Sequence, residues 1–176
     1  MSSIVLHLAD ADATSALGER IAPLLAPGET VLLFGPLGMG KSTLARGLIR
    51  ALTTPDEDVP SPTFTLVQWY ESDPPIAHFD LYRLTRPEEA FEIGLDEALD
   101  VGCALIEWPE RLGDDPARWL GPDRLTITLS ELPAENHAHR PEAAALREGG
   151  DRALQGRRAT VSGAGAWEAK LERLND

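Results

Sequence analysis

Two runs in the chain are apolar without a break: Val31-Leu32-Leu33-Phe34 and Cys103-Ala104-Leu105-Ile106. A short run of this kind reads as a strand covered on both faces. Strands are therefore expected over Thr30–Phe34 and Cys103–Ile106, the second ending at Glu107. Arg124–Leu129 alternates apolar and polar residues, as a half-exposed strand does. Ile4–Leu8 reads as a short strand. Ala11–Leu25 has helical spacing instead, with Leu17, Ile21, Leu24 and Leu25 on one face. Leu44, Leu48 and Leu52 repeat that spacing after Gly40. Thr63–Glu71 and Ile76–Tyr82 are further strand candidates, and Ser72-Asp73-Pro74-Pro75 between them suits an antiparallel connection. Pro27-Gly28 marks a turn, and Thr53–Pro62 is polar and Pro-containing, hence a loop. Pro87–Ile93 reads as a short helix with Pro87 in its first turn, and Asp96–Leu99 as another. Arg158–Ser162 returns as a strand, followed by a terminal helix over Trp167–Leu174. Ala134–Arg158 is rich in Ala, Arg, Glu and Gly and lacks apolar periodicity; it reads as a poorly ordered insertion.

The chain has 176 residues, which fits one domain over 1–176. Cys103 is its only cysteine, so an internal disulfide and a cysteine-based zinc site are both excluded. In its apolar run Cys103 reads as a small core residue. No apolar stretch reaches membrane-spanning length, and the N-terminus lacks a signal-peptide pattern; a cytoplasmic location is expected, with no membrane partner. The net charge of −13 argues against tight unaided binding to nucleic acid, which needs a basic surface.

Chemistry enters between the first buried strand and the second helix. Gly35-Pro36-Leu37-Gly38-Met39-Gly40-Lys41-Ser42 fits G-x-x-x-x-G-K-[ST]. At average composition, chance produces this match in roughly one per cent or less of chains this long. The expected phosphate ligands run from Leu37 through Gly38, Met39, Gly40, Lys41 and Ser42 to Thr43. Their backbone N–H groups form a nest for anions, and the following helix points its positive end at the same place. Lys41 supplies a cation for the β- and γ-phosphates. Ser42 offers a hydroxyl to Mg²⁺, which keeps water among its other ligands. A nucleoside triphosphate and Mg²⁺ are thus expected at the loop, and the fold is expected to be α/β: a P-loop NTPase-like three-layer sandwich with a mostly parallel central sheet and an antiparallel hairpin.

Such a loop needs a carboxylate at the end of a neighbouring strand, to anchor the metal or orient the attacking water. Glu107 and Asp80 both end apolar runs, where open α/β sheets bind ligands. His78 interrupts the second run and reads as a packed, hydrogen-bonded histidine rather than a metal ligand or an acid–base group. Trp69 and Trp108 read as packing residues before ligand-stacking ones. Ser61-Pro62-Thr63 is either a plain turn or a switch whose hydroxyls sense the γ-phosphate.

GPLGMGKST at Gly35–Thr43, SPTFTLV at Ser61–Val67, HFDLYRL at His78–Leu84, EIGL at Glu92–Leu95 and IEWPE at Ile106–Glu110 follow one another in this order. Together they resemble the bacterial TsaE family, also called YjeE, over about residues 4–132. The resemblance implies a small ATPase, with ATP and Mg²⁺ as cofactors, needed for threonylcarbamoyl modification of adenosine in certain tRNAs. It implies TsaB and TsaD as partners, with tRNA reached only through them. It also implies roles: Ser42 and Glu107 hold Mg²⁺, Asp80 and Lys41 are catalytic, Thr63 belongs to a switch-like segment, and Trp108 lies near the nucleotide. Family loops often read GDLGAGKTT; Pro36, Met39 and Ser42 depart from that pattern, though Ser42 keeps the hydroxyl. Without an obvious internal arginine finger, turnover is expected to be slow until a partner supplies the missing group. Two alternatives stay open. One is a small-molecule kinase whose lid would use Arg140, Arg147, Arg152, Arg157 and Arg158. The other is a non-hydrolysing, nucleotide-dependent partner-binding switch. The guanine-reading N-K-x-D box is absent.

Overall fold

The two uninterrupted apolar runs lie side by side at the centre of one seven-stranded sheet. β2 (Thr30–Phe34) pairs in parallel with β5 (Cys103–Glu107) on one side and with β6 (Arg124–Glu131) on the other. β4 (Ile76–Asp80) continues the parallel centre beside β5, and β3 (Val67–Tyr70) closes that edge as the antiparallel arm of a hairpin. At the opposite edge, β7 (Arg157–Ala164) and β1 (Ser2–Leu8) add antiparallel strands, giving the order β1-β7-β6-β2-β5-β4-β3. The coordinates are a computed structural model that describes residues 2–132 and 156–175. Residues 134–155 of the expected insertion lie outside the described residues. Arg157 and Arg158, two of the five arginines of the conjectured lid, are residues of β7.

Alternation along the central strands divides the core into two layers. Val31, Leu33 and Leu105 face α1 (Ala11–Ile21) and α2 (Lys41–Leu52), where Leu17, Ile21, Leu44 and Leu48 are buried. Leu32, Ala104 and Ile106 face the other way, against Phe79, Ala90, Leu95 and Leu112. Ala90 and Leu95 come from α3 (Glu89–Glu92) and α4 (Leu95–Val101), which cover that face. Helices on both sides of the sheet make the three layers, and each fully buried leucine contributes about 1.5–3 kcal/mol. Asp10 caps α1, its side chain accepting the Ala13 N–H at 2.8 Å, a contact worth about 1 kcal/mol. α1 and α2 touch backbone to backbone. A Cβ on Gly47 would sit 2.3 Å from the Ser15 carbonyl oxygen, and one on Gly18 equally close to that of Leu44. Only glycine permits this approach, which fixes α2, and with it the loop before it, against α1.

Several boundaries differ from the expected ones by a residue or two, and three differ by more. The first helix ends its regular turns at Ile21, and Ala22–Leu24 forms a 3-10 turn, because Pro23 has no N–H to continue the α-ladder. The strand expected from Thr63 starts at Val67. Leu66 takes a left-handed conformation (φ 67°) and its N–H bonds back to the Pro62 carbonyl at 2.7 Å, so 62–66 is a turn. The terminal helix is α5 (Trp167–Lys170) followed by a 3-10 turn over Leu171–Leu174.

α5 is pinned to the opposite end of the sheet from the glycine loop. Lys170 Nζ donates to buried Glu29 at 2.5 Å and to the Leu24 carbonyl at 2.7 Å. Cys103, beside this pair, donates its thiol to the Ala26 carbonyl at 3.0 Å. Burial, then the nearby Glu29 charge, pushes its pKa up to about 12. Since the thiolate is the reactive form, thiol–disulfide exchange of the native protein at pH 8 is expected about a thousandfold slower than of the unfolded chain. Ellman's reagent with and without denaturant measures this; a native rate within tenfold of the unfolded one would contradict the buried, protonated thiol. No helix among the described residues is long and apolar enough to cross a membrane.

Candidate functional site

β2 runs into the Gly35–Gly40 turn, and α2 leaves it at Lys41. Gly40 precedes the helix at φ 100°, a left-handed conformation that L side chains rarely adopt. No side chain caps α2. Its first-turn N–H groups and positive end therefore lie where an anion would be held.

Three parallel strands bring the acids level with this loop. Register sets Leu33 of β2 opposite Glu107 of β5, and Glu107 opposite Asp80 of β4. Ser42, one residue into α2, donates to Glu107 Oε1 at 3.2 Å. The other oxygen, Oε2, meets His78 Nε2 at 2.7 Å. Asp80 is held from two directions: Oδ1 accepts the Tyr82 N–H at 3.0 Å, and Oδ2 accepts the Thr63 hydroxyl at 3.4 Å. The 62–66 turn is drawn to the same place, because the Leu66 carbonyl accepts the Asp80 N–H at 2.9 Å. Ser61 and Thr63 hydroxyls lie 2.9 Å apart.

Lys41 is buried, and its ammonium bonds the Gly35 carbonyl and, at 3.4 Å, that of Pro36. Nζ also lies 3.7 Å from the centroid of the Trp108 ring, a cation–π contact. Burial lowers its pKa from the ordinary lysine value, and the Glu107, Glu110 and Asp80 charges oppose that effect. Trp108 itself stands in a left-handed conformation (φ 57°), with its ring tilted against Tyr82 at 4.9 Å.

One cavity of about 270 Å³ gathers these groups, lined by residues 36–43 with Ser61, Thr63, Asp80, Glu107 and Trp108. Every residue singled out from the sequence as a phosphate, metal, catalytic or switch candidate lines it. Ser42 Oγ and Glu107 form an all-oxygen pair, the donor type that Mg²⁺ takes. Among the described residues, no group of three or more His, Cys, Asp and Glu side chains could hold a metal ion. A second cavity of about 120 Å³ adjoins the first across Gly38, Met39, Gly40 and Thr43; Asp10, Thr14 and Arg157 close it from α1 and β7. Sequence reading did not reach Asp10 or Thr14, named Arg157 only for a conjectured lid, and did not give His78 its partner Glu107. None carries a local pattern beyond its own strand or helix.

A family model described as threonylcarbamoyl adenosine biosynthesis protein TsaE matches residues 8–140. A Rickettsia felis protein named tRNA threonylcarbamoyladenosine biosynthesis protein TsaE is 42% identical over 107 residues, 60% of this chain and 63% of that protein. A Synechocystis protein of the same name is 40% identical over 122 residues, covering 66% of this chain and 77% of its own. The match thus spans less than two thirds of the Rickettsia felis protein's length. Among solved structures, Bacillus subtilis YdiB shares the fold with a TM-score of 0.70 at 24% identity, over 99% of this chain and 95% of that one.

Proposed function

This chain belongs to the TsaE family of threonylcarbamoyl adenosine biosynthesis proteins, and we propose that it serves that tRNA modification as a Mg²⁺-dependent ATP hydrolase. The observation that carries this reading is the meeting of Lys41, Ser42, Asp80 and Glu107 in one cavity beneath an uncapped helix start. Backbone N–H groups of residues 37–43 hold the triphosphate, and Lys41 exchanges its loop carbonyls for β- and γ-phosphate oxygens. Mg²⁺, held by Ser42 and Glu107, would supply neutralisation of phosphate charge. Asp80 orients a water and accepts its proton as the water oxygen bonds to the γ-phosphorus and the bond to the ADP oxygen breaks. The nucleoside end belongs in the adjoining cavity beside α1.

Arg83 lies over the Phe64 ring and Arg111 over the Tyr82 ring, and neither lines the cavity. On this reading they are not finger residues, and hydrolysis is slow until TsaB and TsaD dock. Leu37, which lines the cavity, is 73% exposed and Phe64, next in the chain to the lining Thr63, is 84% exposed; these apolar side chains support a protein partner there. With a net charge of −13 the protein meets tRNA through that complex rather than alone.

The test is phosphate release measured alone, with TsaB–TsaD, and with tRNA added. Asp80→Asn keeps an oxygen for the Tyr82 N–H, so Mg·ATP affinity is expected within about threefold of wild type while turnover falls about 100-fold. Full partner-stimulated hydrolysis by this variant would remove Asp80 from the mechanism. Phosphate transfer to a metabolite would favour a kinase, and no turnover even with TsaB–TsaD would favour a binding switch.

A further inference from the structure

We propose that His78 is a positioning residue: its Nε2–H locks the Glu107 carboxylate so that Oε1 faces Ser42 and the cavity. The sheet register creates the contact. Asp80 and Glu107 stand opposite each other on one face, and His78, two residues before Asp80, is the diagonal neighbour of Glu107 on that face. Both members are almost wholly enclosed, at 1% and 2% exposure. A carboxylate only accepts hydrogen bonds, so the proton lies on Nε2 and the histidine donates at 2.7 Å. Ser42 takes the other oxygen at 3.2 Å. With each oxygen tied to a different partner, the carboxylate plane cannot rotate, and one oxygen is directed at the helix start.

A purely structural histidine would be expected to satisfy both ring nitrogens when buried. Here Nδ1 has no hydrogen-bond partner among the described residues. Among the described residues the one hydrogen bond of the His78 ring is to Glu107, so the ring contributes polarity to that carboxylate and otherwise only volume. Nothing else bonds Oε2 among the described residues, and Glu107 without His78 would turn a buried anionic oxygen to apolar strand neighbours.

The inference rests on the nucleotide reading of the site. Its test compares three variants in Mg²⁺ titrations of ADP binding by calorimetry and of Mn²⁺ binding by electron paramagnetic resonance. His78→Leu keeps bulk and removes the donor. His78→Gln carries an amide N–H to the place of Nε2, and His78→Asn carries one only to the place of Nδ1. His78→Leu and His78→Asn are expected to need about 10–100-fold more Mg²⁺ for the same nucleotide affinity. Their ADP affinity in EDTA is expected to stay within about twofold of wild type, and His78→Gln to recover to within about threefold. Should His78→Leu not fold, the Gln and Asn pair still decides. Equal metal dependence in Gln and Asn variants, or a wild-type titration in Leu, overturns the positioning role alone. Failure of the wild-type protein to bind Mg·ADP overturns the site reading, and this inference with it.

Discussion

Lys41→Met is expected to lower Mg·ATP hydrolysis about 10³-fold while leaving the melting temperature nearly unchanged or slightly higher. The ammonium is the sole side-chain cation lining the glycine-loop cavity among the described residues. Charge developing on a transferred phosphoryl group in an enclosed site is stabilised by such a group far more than in water. Removing one preorganised donor of this kind costs about 10²–10³ in rate, and Lys41 also loses its charge to the ground-state phosphates, which places the effect at the upper end. Stability moves the other way. Burial disfavours the charged amine, as its lowered pKa records, and methionine fills nearly the same volume against the Trp108 ring without that desolvation. Single-turnover phosphate release and a thermal melt on the same preparation test both halves. Retention of more than a tenth of wild-type turnover would end the role given to Lys41.

Lys170→Met is expected to destabilise the fold by about 3–5 kcal/mol without touching the cavity. Glu29 is 3% exposed, and Lys170 is its only ionic partner among the described residues. Losing the lysine leaves a carboxylate in the interior with one remaining hydrogen bond, from the Ala26 N–H at 3.0 Å. The Leu24 carbonyl loses its donor as well, and α5 loses the link that ties it to the chain near β2. A chain of this size should then melt about 10 °C lower. The double variant Glu29→Gln with Lys170→Met is expected to recover most of the loss, since no charge is left unpaired. Urea unfolding of the four corners of this cycle measures the coupling; a loss below about 1 kcal/mol in Lys170→Met would show that Glu29 finds water instead.

Much of the site is legible in the chain because its parts are local. An apolar run followed by a glycine turn, Lys41, Ser42 and a helix can be read within residues 31–52, since strand, turn and helix each leave their own spacing. Asp80 and Glu107 are recognisable for the same reason, each being an acid that ends an apolar run. Thr63–Leu66 misled because its alternation of β-branched and apolar residues is that of a strand. The turn there follows from Pro62, from the left-handed Leu66 and from the bond its carbonyl makes to Asp80, and the last of these lies outside the segment.

Sequence by itself determined the glycine loop and its helix, the two buried central strands, and the acids that end β4 and β5, because dihedral preference and apolar spacing act between near neighbours. Only the tertiary structure decided which side chains meet: His78 with Glu107 across 29 residues, Ser42 with Glu107 across 65, Glu29 with Lys170 across 141. A hydrogen bond between distant residues depends on strand register and helix docking. Those are set by how the whole core packs, and no short stretch of the chain contains that information.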